Sequence, residues 1–175
     1  MESRDNESLI ALPDFWHVLD RCVGMIVSDT KVGKPFDKLM LGQEHWVQVH
    51  QDNRRWTEEP CFDCEITMVA SWKLTKHGRS VSRSNMLFTY SIGPFKHYPS
   101  LNSLQQAAVS GITVGPQMEL IIRFTNEQQL VIGGLRADKD GKEYPNWLLQ
   151  IPGTMYVPSA GGNIKAIPYG SIRFK

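Results

Sequence analysis

The segment from Cys64 to Lys73 constrains the fold most. Ile66, Met68, Ala70 and Trp72 alternate with Glu65, Thr67, Ser71 and Lys73. That is the period of a strand with one face buried and the other in water. A second alternating set, Met86, Phe88, Tyr90 and Ile92, follows Lys76-His77-Gly78. Read as a three-residue hairpin loop, this tripeptide puts Gly78 in the left-handed region, where the missing Cβ removes the clash. The register then sets Met68 opposite Met86 and Ile66 opposite Phe88, all on one face.

Helical spacing occurs twice. Pro13-Asp14 opens a first helix carrying Phe15, Val18, Leu19 and Cys22, with Gly24 ending it or bending the chain. Ser100 is the N-cap of a second, with Leu101, Leu104, Ala107 and Ala108 as its stripe and Gly111 as its C-terminal cap. Residues 28–44 carry Gly33, Pro35 and Gly42 and read mostly as loop. Trp46, Val47 and Val49 suggest a short strand. Met118, Leu120, Ile122 and Phe124 alternate, then turn through 125–128 into Leu130-Val131-Ile132. Trp147–Leu149 and Met155–Val157 are short strands separated by Pro152-Gly153. Residues 158–163 read as a loop, and 164–174 as an edge strand. The expected architecture is α+β: an antiparallel sheet packed against two or so helices. Residues 1–12 form a flexible segment and 13–175 a single compact domain.

Composition narrows the function classes. The 175 residues carry 19 basic and 18 acidic side chains, for a net charge of +1. That balance argues against a dedicated nucleic-acid module while leaving room for a local basic patch. Three cysteines, Cys22, Cys61 and Cys64, do not make a disulfide framework and point to a reducing compartment. The acidic, polar start resembles no secretory signal, and no apolar run reaches membrane-spanning length. No lipidation motif is present.

Few residues suggest chemistry. His45, His50, Cys61 and Cys64 are zinc-type ligands, and Cys-x2-Cys is a knuckle spacing. On strands, however, intervals of five and three turn each pair to opposite faces, so no stoichiometric zinc is expected. A Cys-His nucleophile pair lacks an assignable orienting group. Gly-x-Ser-x-Gly, phosphate-loop and His-Glu-x-x-His motifs are absent. Asp138-x-Asp140-Gly141 reads as a surface turn, because the glycine comes too early for a calcium loop and the closing Glu is missing. No catalytic residue, cofactor or small-molecule substrate is expected. Cations gather on Lys73, Lys76, His77, Arg79 and Arg83 around one hairpin tip, with Lys31, Lys34 and Lys38 in a loop and Lys165, Arg173 and Lys175 near the end. The first group is the candidate contact surface for anionic lipid or a nucleoprotein. Aromatics do not interleave with it as base stacking requires.

The stretch Asn85-Met-Leu-Phe-Thr-Tyr-Ser-Ile-Gly-Pro-Phe-Lys-His-Tyr-Pro-Ser-Leu-Asn-Ser-Leu-Gln-Gln-Ala-Ala-Val-Ser110 resembles the central part of rhabdovirus matrix proteins. There a strand meets Pro-Phe, and a short helix ends in an Ala-Ala-Val-Ser-like sequence. A Gly-containing loop, an apolar strand and a hairpin follow. Gly111–Pro116, Met118–Phe124 and Leu130–Ile132 continue the pattern, and the final Phe174-Lys175 resembles the ending of some members. The length is similar to that of the short plant-virus matrix proteins. The acidic N-terminus and the missing proline-tyrosine motif depart from members that bud in the animal style. The resemblance implies a non-enzymatic structural protein of the virion and host cytoplasm. Such a protein self-associates and bridges the nucleocapsid and the anionic inner face of a membrane. The polar stretches 1–12, 28–44 and 158–163 are the expected contact segments. The alternative is an intracellular binding module, such as a host-interaction or RNA-silencing-suppressor protein; a small hydrolase with a Cys-His site is a more remote one.

Overall fold

The computed structural model describes residues 7–33, 36–50, 56–69, 71–84, 100–168 and 172–174. The chain starts with β1 (Ser8–Ile10) and α1 (Leu12–Asp20), then β2 (Val27–Lys31), β3 (Asp37–His50) and β4 (Trp56–Met68). A hairpin of β5 (Trp72–Lys76) and β6 (Arg79–Arg83) follows. After a short 3-10 turn at Asn102–Leu104 come β7 (Val109–Val114), β8 (Leu120–Phe124) and β9 (Gln128–Ile132). The chain closes with β10 (Leu135–Ala137), β11 (Glu143–Pro145), β12 (Trp147–Ile151), β13 (Thr154–Ser159), β14 (Asn163–Pro168) and β15 (Ile172–Phe174).

The strands form three antiparallel sheets. One has eight strands in the order β1-β14-β13-β12-β4-β3-β15, with β2 also on β3; one has five in the order β6-β5-β9-β8-β7; β10 and β11 form a ribbon. Inward side chains of the two larger sheets meet in a single core. Leu39, Leu41, Ile66, Met68, Trp147 and Leu149 come from the eight-stranded sheet, and Trp72, Leu74, Leu120, Ile122, Leu130 and Ile132 from the five-stranded one. Two indole N–H groups tie the sheets across this core. Trp72 Nε1 donates to Asp37 Oδ2 at 2.6 Å, and Trp147 Nε1 to the Met118 carbonyl at 2.7 Å. Residues 24–27 sew a third seam. Gly24 N and Val27 N bond to the carbonyls of Val109 and Ala107 beside β7, while Val27 also pairs with Leu41 of β3.

This is a mostly β protein, and the α+β expectation is corrected. Among the described residues the only α-helix is α1, which forms where Pro13 sits in the first turn and Phe15 and Leu19 point inward. Phe15 stacks on Trp147 at 6.2 Å and packs on Tyr156 at 5.3 Å. The second expected helix is a 3-10 turn running into β7. Leu101, Leu104 and Ala107 are buried as their spacing demanded. However, Gln106 takes φ +67° and Gly111 lies inside the β7 ladder opposite Arg123. A stripe of eight residues is too short to sustain a helix against sheet pairing. Residues 28–44 are not mostly loop either: β2 and the first eight residues of β3 occupy most of them, while 34–35 lie outside the described residues. Gly42 is not loop but part of a bulge within β3, at φ +80°, where a Cβ would meet the Asp63 side chain at 2.3 Å.

The strand expected at 64–73 is two strands. β4 ends at Met68, the chain crosses between sheets, and β5 begins at Trp72. Met68 and Trp72 keep the same parity because both inner faces look onto one core. Ile66 pairs with Leu39 and Leu149, and Met68 with Asp37 and Trp147. Both edges of β4 are therefore occupied, and the register with Met86 and Phe88 is overturned. Residues 86–92 themselves lie outside the described residues. Of the edge strand expected over 164–174, β14 is interior, between β13 and β1, whereas β15 does lie at the sheet's edge beside β3. Ser8–Ile10, within the segment expected to be flexible, pairs with β14.

Candidate functional site

The expected basic hairpin is β5–β6. Trp72 and Leu74 of β5 point into the core and Lys73 and Thr75 point out. His77 at φ +50° and Gly78 at φ +74° make a two-residue turn with Lys76 paired to Arg79, in place of the three-residue loop expected. Two consecutive left-handed residues match the twist of the flanking strands. The register shifts between Leu74 and Thr75, leaving Val81 as an extra residue on β6, and this sets Lys73 directly opposite Arg83.

The five candidates thus divide by face. Lys73 and Arg83 sit side by side on the outer face of the five-stranded sheet. Lys76 and Arg79 face each other at the tip, on the other side of the hairpin. His77 is held by Glu127, with Nε2 3.1 Å from the carboxylate. The sequence reading missed Arg123, which is exposed on the same outer face: Thr75 pairs with Gln129, and Gln129 with Arg123. Its outward direction follows from the alternation of Leu120, Ile122 and Phe124, but its place two strands from Thr75 required the sheet order. The five strands hold Lys73, Lys76, Arg79, Arg83 and Arg123 and contain no Asp or Glu. Like charges directly opposite on a ladder are destabilising, and here there are two such pairs.

The zinc-type residues divide otherwise. His45 and Cys61 are partners across β3 and β4, whereas Cys64 points inward, 3.5 Å sulfur to sulfur from Cys22. The side chain of His50 lies outside the described residues. Among the described residues no group of three or more His, Cys, Asp or Glu is placed to hold a metal. Asp63 organises the outer side. Its carboxylate takes the Gln43 N–H at 2.7 Å within the bulge and lies 2.8 Å from His45 Nε2. Cys61, His45 and Asp63 therefore share a face, which is the third group a Cys-His pair needs. The electrostatics oppose such a role: burial, then Glu65 and Asp63, push the Cys61 thiol up, away from the thiolate a nucleophile requires.

Other expected cations are neutralised or placed apart. Lys38 bonds Glu65 at 2.5 Å, and Lys165 pairs with Glu7. Lys31 lies on β2 and Arg173 on β15, while Lys34 and Lys175 lie outside the described residues. Asp138 is the expected surface turn: its carboxylate accepts the N–H groups of Asp140 and Lys142, each at 2.9 Å, and its pKa is lowered, most by the bond from Lys142. An open groove of about 560 Å³ lies between the β10–β11 ribbon and β13, lined by Leu135, Glu143, Pro145, Val157 and Lys165. Pro158, Ser159 and Ala160, from the expected contact loop 158–163, also line it. No helix among the described residues is long and apolar enough to cross a membrane.

Within the stretch that resembles rhabdovirus matrix proteins, residues 85–99 lie outside the described residues. The expected helix is absent from 100–110, and the hairpin of Met118–Ile132 is present as β8 and β9. No protein-family model matches the chain, and no curated protein or solved structure matches it closely enough to carry an argument.

Proposed function

We propose that this chain is a structural protein of the viral matrix type. It self-associates and bridges a nucleocapsid and the inner face of an anionic membrane, with no small-molecule substrate and no catalysis. The observation that carries the reading is the outer face of the five-stranded sheet: Lys73 and Arg83 directly opposite each other, Arg123 on the same face, and no acid in any of the five strands. An anionic surface relieves that repulsion. The outward positions between the cations are Val131, Ile121, Thr113, Gln129 and Thr75, with no aromatic for base stacking. That composition suits a sheet of phosphate headgroups better than splayed bases.

Self-association is assigned to sheet edges rather than to residues 28–44, most of which belong to β2 and β3. Among the described residues β1 has a strand neighbour on one side only, and so does β7, whose first residues bond to Gly24 and Met25. Such edges are templates for a second copy. Among the described residues β6 also has one neighbour only, and Arg79, Arg83 and the bulge at Val81 guard that edge. Sedimentation with vesicles containing anionic lipid, with neutral vesicles and with RNA tests the reading. Salt-sensitive pelleting with anionic vesicles, together with concentration-dependent polymers, is the expected result. Tight RNA binding by a discrete dimer would transfer the protein to the class of binding modules.

A further inference from the structure

We propose that Cys22 and Cys64 form an oxidisable dithiol, converted by a peroxide to an intramolecular disulfide that pins the end of α1 to β4. The argument starts from placement. Cys22 lies in the turn that follows α1, its N–H on the Leu19 carbonyl at 2.9 Å. Cys64 is an inward residue of β4, paired with Leu41. Both are fully buried, and their sulfurs are 3.5 Å apart although the residues are 42 apart in sequence. A disulfide needs about 2.05 Å, so the sulfurs must approach by about 1.5 Å. Rotation about χ1 supplies part of that. The irregular turn ending at Gly24, φ +87°, is where the backbone can supply the rest.

The two thiols are not equivalent. The hydrogen bond shared by the two sulfurs, with help from Arg21, lowers the Cys22 thiol, and the same bond together with burial raises Cys64. Cys22 is therefore the attacking sulfur and Cys64 the resolving one. The Cys22 thiolate attacks one peroxide oxygen. The O–O bond breaks, hydroxide leaves and takes up a proton as water, and Cys22 becomes a sulfenic acid. The Cys64 sulfur then attacks the Cys22 sulfur. The S–O bond breaks, and the departing hydroxide leaves as water with the Cys64 proton. Two thiols are oxidised by two electrons and one peroxide is reduced to two waters.

The position gives the bond a consequence. Residues 24–27 are the seam between the sheets, through Gly24 to Val109, Met25 to Val109 and Val27 to Ala107. A cross-link at Cys22 fixes the start of that seam to β4. It also closes a long loop in the unfolded chain, which raises the melting temperature of the oxidised form by about 5–10 °C. Cys61 is excluded as a partner because it lies on the opposite face of β4 from Cys64.

The test is hydrogen peroxide titration of the reduced full chain. It is read by intact mass, non-reducing peptide mapping and trapping of sulfenic acid with dimedone. The expected result is loss of two hydrogens, a peptide pair joining Cys22 to Cys64, and a raised melting temperature that a reductant reverses. Cys61→Ser should behave in the same way. Cys64→Ser should instead accumulate a dimedone adduct at Cys22. The wild-type peptide map stands even if that variant does not fold. Oxidation confined to Cys61, or conversion of Cys22 to sulfinic acid with Cys64 still a thiol, would overturn the proposal.

Discussion

The five-stranded sheet holds Lys73, Lys76, Arg79, Arg83 and Arg123 and no acid. The eight-stranded sheet holds Asp29, Asp37, Glu44, Glu58, Glu59, Asp63 and Glu65 against Lys31, Lys38, Lys165 and Arg173. The net charge of +1 conceals this division. The sheets also differ in how charge is handled. On the eight-stranded sheet Glu65 has Lys38, Asp63 has His45 and Gln43 N–H, and Asp37 has the Trp72 and Gly33 N–H groups. Its charges are spent on internal geometry: a bulge, a turn and a link between sheets. On the five-stranded sheet the cations line up by register with one another. Among the described residues no carboxylate pairs with them; local compensation marks structural charge, and like charge left in register marks a contact surface.

The largest expected effect breaks what the sheets share. Ile66→Ala from one sheet and Ile122→Ala from the other should each cost about 2–5 kcal/mol, because both leave a cavity in one core. Urea unfolding should stay a single transition for both. Separate transitions for the two sheets would show two cores. Next comes the contrast itself. Lys73→Glu with Arg83→Glu should weaken binding to anionic vesicles about a thousandfold at low salt, from about 1 kcal/mol per cation counted twice on reversal. Stability should hold within about 1 kcal/mol, since exposed substitutions cost little. Lys38→Glu on the other sheet should do the reverse, lowering stability and sparing vesicle binding. Equal binding losses from both sheets would remove the distinction.

Smaller effects sharpen it. Trp72→Phe keeps most of the packing but strips Asp37 of a donor at the sheet junction, for about 1–3 kcal/mol by calorimetry. Arg123→Gln should weaken vesicle binding about fivefold, one cation's share. Smallest is the pH dependence of Cys61. Its thiol is raised in the folded chain, so folding favours the protonated form and this contribution to stability is lost as pH rises past the ordinary thiol range. Iodoacetamide should accordingly modify Cys61 more slowly than an unfolded cysteine at mildly alkaline pH. Asp63→Asn with Glu65→Gln should shift the alkylation midpoint to lower pH; an unmoved midpoint would leave burial as the sole cause.

What the sequence determined by itself was direction. Period-two alternation placed Ile66, Met68, Leu120, Ile122 and Phe124 inward, and helical spacing placed Phe15, Leu19 and Cys22 inward, all of them in the core. Local turn chemistry was legible at Gly78 and at Pro152-Gly153, because a left-handed residue must be accommodated within a few neighbours. Only the tertiary structure decided which strand neighbours which. Alternation carries no label for the partner, so one unbroken pattern from Ile66 to Trp72 could serve two sheets facing one core. Likewise Leu101, Leu104 and Ala107 fitted a helix until pairing of β7 with β8 claimed the backbone. Gly42 read as part of a loop because nothing local announces that Asp63, 21 residues on, will seat a bulge there. The contact surface divides in the same way. Lys73 and Arg83 come from one hairpin and are close in sequence, whereas Arg123 joins them only through β9, since hydrogen bonding between strands distant in the chain is settled by the packing of the whole core.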